Sequence, residues 1–140
     1  MITIKQASKD DIPVIEDILL DVVNWLDSTG NSLWTKEQVS WHGLSRHYSA
    51  ENFYLAYLDG EAVGCMALVD YDPIIWPDIQ KGESLFIHKL AVKRSGVGKG
   101  VSKSLIHFAK NECKRRNIKS IRLDCHQFRD KVRKLYENEG

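Results

Sequence analysis

Between Leu90 and Ile106 the chain reads LAVKRSGVGKGVSKSLI, with glycines at 96, 98 and 100 alternating with single residues inside a basic run. Residues of these types at this spacing suit an anion. Glycine lacks the Cβ that would keep a phosphate at a distance, and it tolerates the dihedrals of an N–H nest. An apolar strand-like segment ends at Val92, and a helical stripe of Val101, Leu105, Ala109 and Cys113 follows the glycines. The first N–H groups of such a helix lack internal partners and carry the positive end of its dipole. Lys93, Arg94, Lys99 and Lys103 add cationic charge to the same stretch. A pyrophosphate fits this description. The alternative is a tight strand-to-helix turn that uses glycine only for its dihedrals. Neither familiar nucleotide motif is satisfied: Gly100 follows Lys99 where a P-loop needs Ser or Thr, and G-x-G-x-G is not G-x-G-x-x-G.

The elements that must position this loop are legible on either side of it. Ile2 and Ile4 alternate as a first strand. Ser8-Lys9-Asp10-Asp11 and Thr35-Lys36-Glu37-Gln38 both have the capping-box pattern. The first opens a helix striped by Ile12, Ile15, Leu19, Val22, Val23 and Leu26, and the second a shorter helix through Val39, Trp41 and Leu44. Asn52 to Leu58 and Glu61 to Val69 read as strands joined at Asp59-Gly60, a strong hairpin signal. Tyr71 to Gly82 is a loop, and Glu83 to Val92 a long apolar strand. The glycine-led helix closes at Lys114-Arg115-Arg116 and Asn117. Ile118 to Cys125 alternates as another strand, and Arg129 to Asn138 reads as a helix with Val132 and Leu135 inward. The order β-α-α-β-β-β-α-β-α, a meander followed by a crossover unit, predicts one three-layer α+β domain over residues 1–140.

Composition removes other function classes. Twenty basic and nineteen acidic side chains leave a net charge of +1, so nothing drives the chain toward nucleic acid or an anionic membrane. No apolar run reaches a membrane span, and Met1 leads straight into a strand with no signal peptide. Cys65, Cys113 and Cys125 are odd in number and widely spaced, as expected of free thiols in the cytoplasm, and their spacing offers no metal site.

Leu90-Ala91-Val92 followed by Lys93-Arg94-Ser95-Gly96-Val97-Gly98-Lys99-Gly100 resembles the cofactor signature of the GNAT family of N-acetyltransferases, an L-x-V strand end ahead of a Gln/Arg-x-x-Gly-x-Gly/Ala loop. Lys93 stands at the Gln/Arg position, keeping the charge but losing bidentate donors. Leu135-Tyr136-Glu137-Asn138-Glu139-Gly140 is similar to the family's L-Y-x-x-x-G-F segment, with Arg129 where members often carry asparagine. The resemblance spans the chain and implies a three-layer α/β/α acyl-CoA N-acyltransferase fold with a mixed, mainly antiparallel sheet. Members continue beyond that glycine with further strands. The expectation is therefore a C-terminally short domain, a fragment or one whose strand edge a second copy covers as a homodimer.

The resemblance further implies that acetyl-CoA is the acetyl donor, without a metal, and that a primary amine of a small molecule or peptide attacks it directly. Leu90, Ala91 and Val92 would hold the pantetheine arm, residues Lys93 to Gly100 the pyrophosphate, and Arg129 a phosphate. Tyr136 matches the tyrosine that protonates the leaving thiolate, with packing at a helix end as the alternative. Glu83 and His88 are candidates to take the amine's proton, though period two points them to opposite faces of a regular strand, and His88 equally suits a structural position. Trp34 and Trp76, among aspartates that include Asp27, Asp70, Asp72 and Asp78, are candidate walls for a cationic acceptor. Two other readings stay open: a non-catalytic CoA-binding or partner-binding module, and nucleic-acid binding through Lys93-Arg94 and Lys110 to Arg122, which a solvated helix face explains better.

Overall fold

Strict alternation along one strand divides the core in two. In Phe53–Leu58 (β2), Phe53 and Leu55 pack toward the first long helix, while Tyr54 and Ala56 pack toward the second. A computed structural model describes residues 1–30, 34–73 and 76–123. In it β2 joins Ile2–Gln6 (β1), Glu61–Val69 (β3), Ser84–Val92 (β4) and Ser120–Leu123 (β5) in one sheet whose spatial order is the sequence order. Each pair is antiparallel except β4 and β5, which run parallel. That last pairing needs a crossover, and helix α4 (Val101–Arg115) supplies it. Helix α1 (Ile12–Ser28) lays Ile15, Ile18, Leu19, Val22 and Leu26 on one face of the sheet, and α4 lays Val101, Leu105, Ala109 and Cys113 on the other. The three-layer arrangement with a mainly antiparallel sheet is the one expected.

Local signals acted locally. Asp59 and Gly60 both take positive φ, 52° and 90°, and close the β2–β3 hairpin. Ser8 N–H donates to Asp11 Oδ2 at 2.9 Å, and Thr35 and Gln38 exchange the two bonds of the second box. The helix expected after Thr35 is instead two short pieces, α2 (Lys36–Val39) and α3 (Trp41–Leu44). Ser40 is extended between them, accepting from Gly43 N–H, and Glu16 on α1 takes the Trp41 N–H at 2.7 Å. A Cβ at Gly43 would sit 2.4 Å from Glu37 O, so glycine lets the two pieces close on each other. β4 begins at Ser84, leaving exposed Glu83 in the preceding turn. The helix expected over 129–138 and the strand residues 124 and 125 lie outside the described residues.

One ion network ties α4 to the sheet. Glu112, buried on α4, accepts from Arg115 at 2.8 and 2.9 Å and from Arg116 at 3.0 Å, and Arg116 reaches the Tyr54 hydroxyl on β2 at 3.1 Å. The Arg115 hydrogen bonds, opposed in part by burial, hold the Glu112 carboxyl below its ordinary pKa. A lowered folded-state pKa contributes stability above the unfolded value, and that contribution is lost as pH falls through the folded value. Glu112→Gln should therefore lower Tm at neutral pH, and the deficit should shrink below about pH 4. Thermal melts across pH check this; a deficit independent of pH would contradict it.

Candidate active site

The registers on the two edges of β4 differ. Among the described residues it pairs with β5 from Ser84 to Ile87, the last of these opposite Leu123, and with β3 from Phe86 to Val92. Within that stretch lies a bulge: Ala67 pairs with His88 and Cys65 with Ala91, so β4 fits one more residue than β3 between the same two rungs. The surplus falls at Lys89 and Leu90, with Lys89 at φ 53°. A bulge re-aims side chains and breaks the ladder, leaving main-chain groups without their strand partners. Here it inverts the alternation. Leu85 and Ile87 pack with α4 before it, and Leu90 and Val92 do so after it. Buried Cys65 lies beneath, its Sγ directed at Lys89 O at 3.6 Å. Burial pushes that thiol far above its usual pKa, so it stays a protonated donor.

β4 runs directly into the glycine loop. Lys93 N–H bonds Val63 O at 2.7 Å, and a 3-10 turn over Arg94–Gly96 follows. The three glycines differ in role. A Cβ at Gly96 would stand 3.0 Å from Val63 Cβ, so this glycine permits close packing against β3. Gly98 and Gly100, both at φ 81°, have no atom within 4 Å of where a Cβ would be. They line an open cavity of about 360 Å³ with Val92, Val97, Val101 and Lys103. Helix α4 starts at its rim: Ser104 N–H makes the first intrahelical bond, to Gly100 O, so the amides of Val101, Ser102 and Lys103 precede the helical ladder. A glycine-walled cavity at the positive end of a fifteen-residue helix fits a phosphate group.

The cations divide. Lys93 Nζ pairs with Asp17 Oδ2 at 2.9 Å, a hydrogen bond that holds its pKa above the ordinary lysine value. Arg94 N–H donates to Asp21 Oδ2 at 2.9 Å while its guanidinium stacks 4.1 Å over Trp25. Both residues thus anchor the loop to α1. Lys103 lines the cavity, while Ser95 and Lys99 are exposed on the loop.

On the α1 face, immediately before the bulge, His88 Nε2 lies 3.0 Å from Asp72 Oδ2, and both side chains are only 10% exposed. The imidazole stacks on Phe86 at 6.5 Å and meets Tyr48 at 6.1 Å between centroids. Such a buried, ring-packed pair holds the imidazole in one orientation. Glu83 is five residues and about 16 Å of strand away from His88, so the two proposed bases are not brought together. The tryptophans expected to receive a cation already carry one of the protein's own. Lys89 Nζ sits 4.9 Å over Trp34, and Arg122 sits 5.0 Å over Trp76, whose ring also packs on Phe86 at 6.2 Å. A second cavity, of about 440 Å³, opens beside the bulge and is lined by Lys89, Tyr48 and residues of α2 and α3. Tyr136 and Arg129 lie outside the described residues. Asp72, which the sequence places among the aspartates near the acceptor walls, is the partner of His88, and nothing in a linear pattern pairs it with a histidine sixteen positions on.

A bulged strand that leads into a glycine-walled helix N-terminus is the arrangement expected of an acyltransferase. The chain belongs to the acetyltransferase (GNAT) family, whose sequence profile matches residues 19–140. It is 25% identical over 141 residues to YesJ, an uncharacterized N-acetyltransferase of Bacillus subtilis, covering 96% of this chain and 78% of that protein. A GNAT-family acetyltransferase structure from Listeria monocytogenes superposes with a TM-score of 0.80 at 22% identity, covering 99% of this chain and 85% of that one. N-acetylglutamate synthase from Neisseria gonorrhoeae, solved with coenzyme A and N-acetyl-glutamate, matches with a TM-score of 0.69 at 20% identity. This chain aligns over its full length with 28% of that larger protein.

Proposed function

We propose that the protein moves an acetyl group from acetyl-CoA to a primary amine of a small molecule or peptide by direct attack. The observation that carries this reading is the continuity of the β4 bulge with the glycine loop, which puts the bulged strand and an anion cavity along one path. Gly98, Gly100, the α4 amides and Lys103 would hold the pyrophosphate, and Leu90 to Val92 the pantetheine arm. Acetyl-CoA supplies an acyl group already activated as a thioester. The amine nitrogen forms the new C–N bond as the C–S bond breaks. A main-chain N–H at the bulge polarises the carbonyl. His88, oriented by Asp72, takes the proton the nitrogen must lose. Tyr136, whose phenol is protonated at neutral pH, returns a proton to the leaving thiolate. N-acetylamine and free CoA balance the reaction, with no enzyme nucleophile consumed.

The test is thiol release from acetyl-CoA across a panel of amines, with acetylated product identified by mass. Tyr136→Phe should cut turnover about 10²-fold or more while acetyl-CoA still binds. A folded chain that binds acetyl-CoA but acetylates no amine would instead be a binding module.

A further inference from the structure

The acceptor side of the bulge has its own chemistry. The 440 Å³ cavity is bordered by Lys89, the bulge residue itself, so a molecule seated there would lie beside the strand position where acyl transfer is proposed. Its volume is that of a small-molecule site. Arg46, His47 and Lys89 line it, against one carboxylate, Glu37. Thr35 and Gln38 also line it, but their side chains are committed to the capping box of α2 and serve as wall. Leu44 is buried and Gly43 has no side chain, which leaves Tyr48 and the basic and acidic side chains to recognise a ligand.

Two contacts hold the cations in place. The Lys89 ammonium lies 4.9 Å over the Trp34 ring, and the Arg46 guanidinium is 3.3 Å from His42 Nε2 one turn earlier. A cationic acceptor calls for a surplus of carboxylates, and the cavity offers one, Glu37, against the two cations Arg46 and Lys89, while Trp34 and Trp76 already carry Lys89 and Arg122. The balance of charge around the cavity is basic.

We infer that the acceptor amine carries an anionic group, a carboxylate or phosphate, which Arg46 and Lys89 hold in this cavity. This rests on the acetyl-transfer reading for its place in the reaction, but the binding step stands apart from turnover. Arginine presents a planar fork matched to carboxylate and phosphate oxygens, and Lys89 adds a point charge beside the reacting strand.

The experiment titrates the chain, with CoA present, with L-glutamate, O-phosphoethanolamine, glycinamide and spermidine. Binding is followed by NMR of the arginine and lysine side chains, and acetylation is followed in parallel by thiol release. The expected result is binding of the two amines that carry an anionic group at least about tenfold tighter than of glycinamide, which has none, and of the polycation spermidine. Glutamate against phosphoethanolamine then tells carboxylate from phosphate. Arg46→Glu, at an exposed position that should not endanger folding, should abolish the preference, and Arg46→Lys should restore part of it. CoA affinity, read by calorimetry, reports that each variant is folded. Tighter binding of spermidine or glycinamide, or an anion preference that survives both Arg46→Glu and Lys89→Met, would overturn the inference. Selective binding of the anionic amines without any thiol release would leave the cavity's assignment standing and refute acetyl transfer.

Discussion

Replacing His88 with alanine is expected to slow acetyl transfer about 10²–10⁴-fold while acetyl-CoA binds as before. The split follows from position. His88 sits on the α1 face just before the β4 bulge, whereas the anion cavity lies beyond Val92 and against α4. Its Asp72 partner, 3.0 Å away and as buried as the imidazole, holds the ring and, in the proposed reaction, would stabilise the imidazolium formed when His88 takes the amine's proton. Asp72→Asn should therefore lower kcat in the same direction with a smaller effect and alter the pH–rate profile, which a purely structural aspartate would not do. Glu83→Gln should leave turnover intact, because Glu83 is exposed in the turn before β4. Steady-state rates of the three variants against pH decide the matter. Full activity in folded His88→Ala would remove the base assignment.

The second large effect is expected at the glycine loop, where backbone strain has to be separated from lost binding. Gly98→Val forces a side chain into φ 81°, costing roughly 1–2 kcal/mol, and places its atoms on the wall of the anion cavity. Gly82→Val carries the matching penalty, at φ 84° with equally open surroundings, in a turn that touches neither cavity. The two variants should lose similar stability in denaturant melts. Only Gly98→Val should lose acetyl-CoA affinity, by about tenfold or more, which is about 1.4 kcal/mol. Equal affinities in the two variants would show that the loop is a turn and nothing else.

What could be read from the residues alone was what neighbours in sequence decide. The Asp59-Gly60 hairpin, both capping boxes, the α4 stripe and the strand-to-helix glycine loop depend on a few adjacent residues, and each stands where the pattern put it. The resemblance in Leu90 to Gly100 extended those local readings to a family, which the match over 19–140 bears out. The features that the sequence could not supply depend on pairing across the fold. The bulge exists only as a mismatch between two strand registers, so period two along β4 gave no hint that Leu90 and Val92 would change face. Lys93 and Arg94 counted as phosphate ligands because their charge was visible and Asp17 and Asp21, more than seventy residues earlier, were not beside them in the sequence. Trp34 and Trp76 looked like open rings for the same reason, since Lys89 and Arg122 come to them only in three dimensions. Asp72 is the clearest case. Its carboxylate became a buried partner of His88 through the path of the loop before β4, which carries no periodic signal.

The measurement that bears most directly on acyl-CoA chemistry is a calorimetric titration of the 140-residue chain with acetyl-CoA, with ATP and NAD as controls. The account predicts saturable binding of acetyl-CoA at one site with about micromolar affinity and no comparable binding of the two nucleotides. A folded chain that takes up ATP or NAD as tightly as acetyl-CoA, or takes up none of the three, would contradict it.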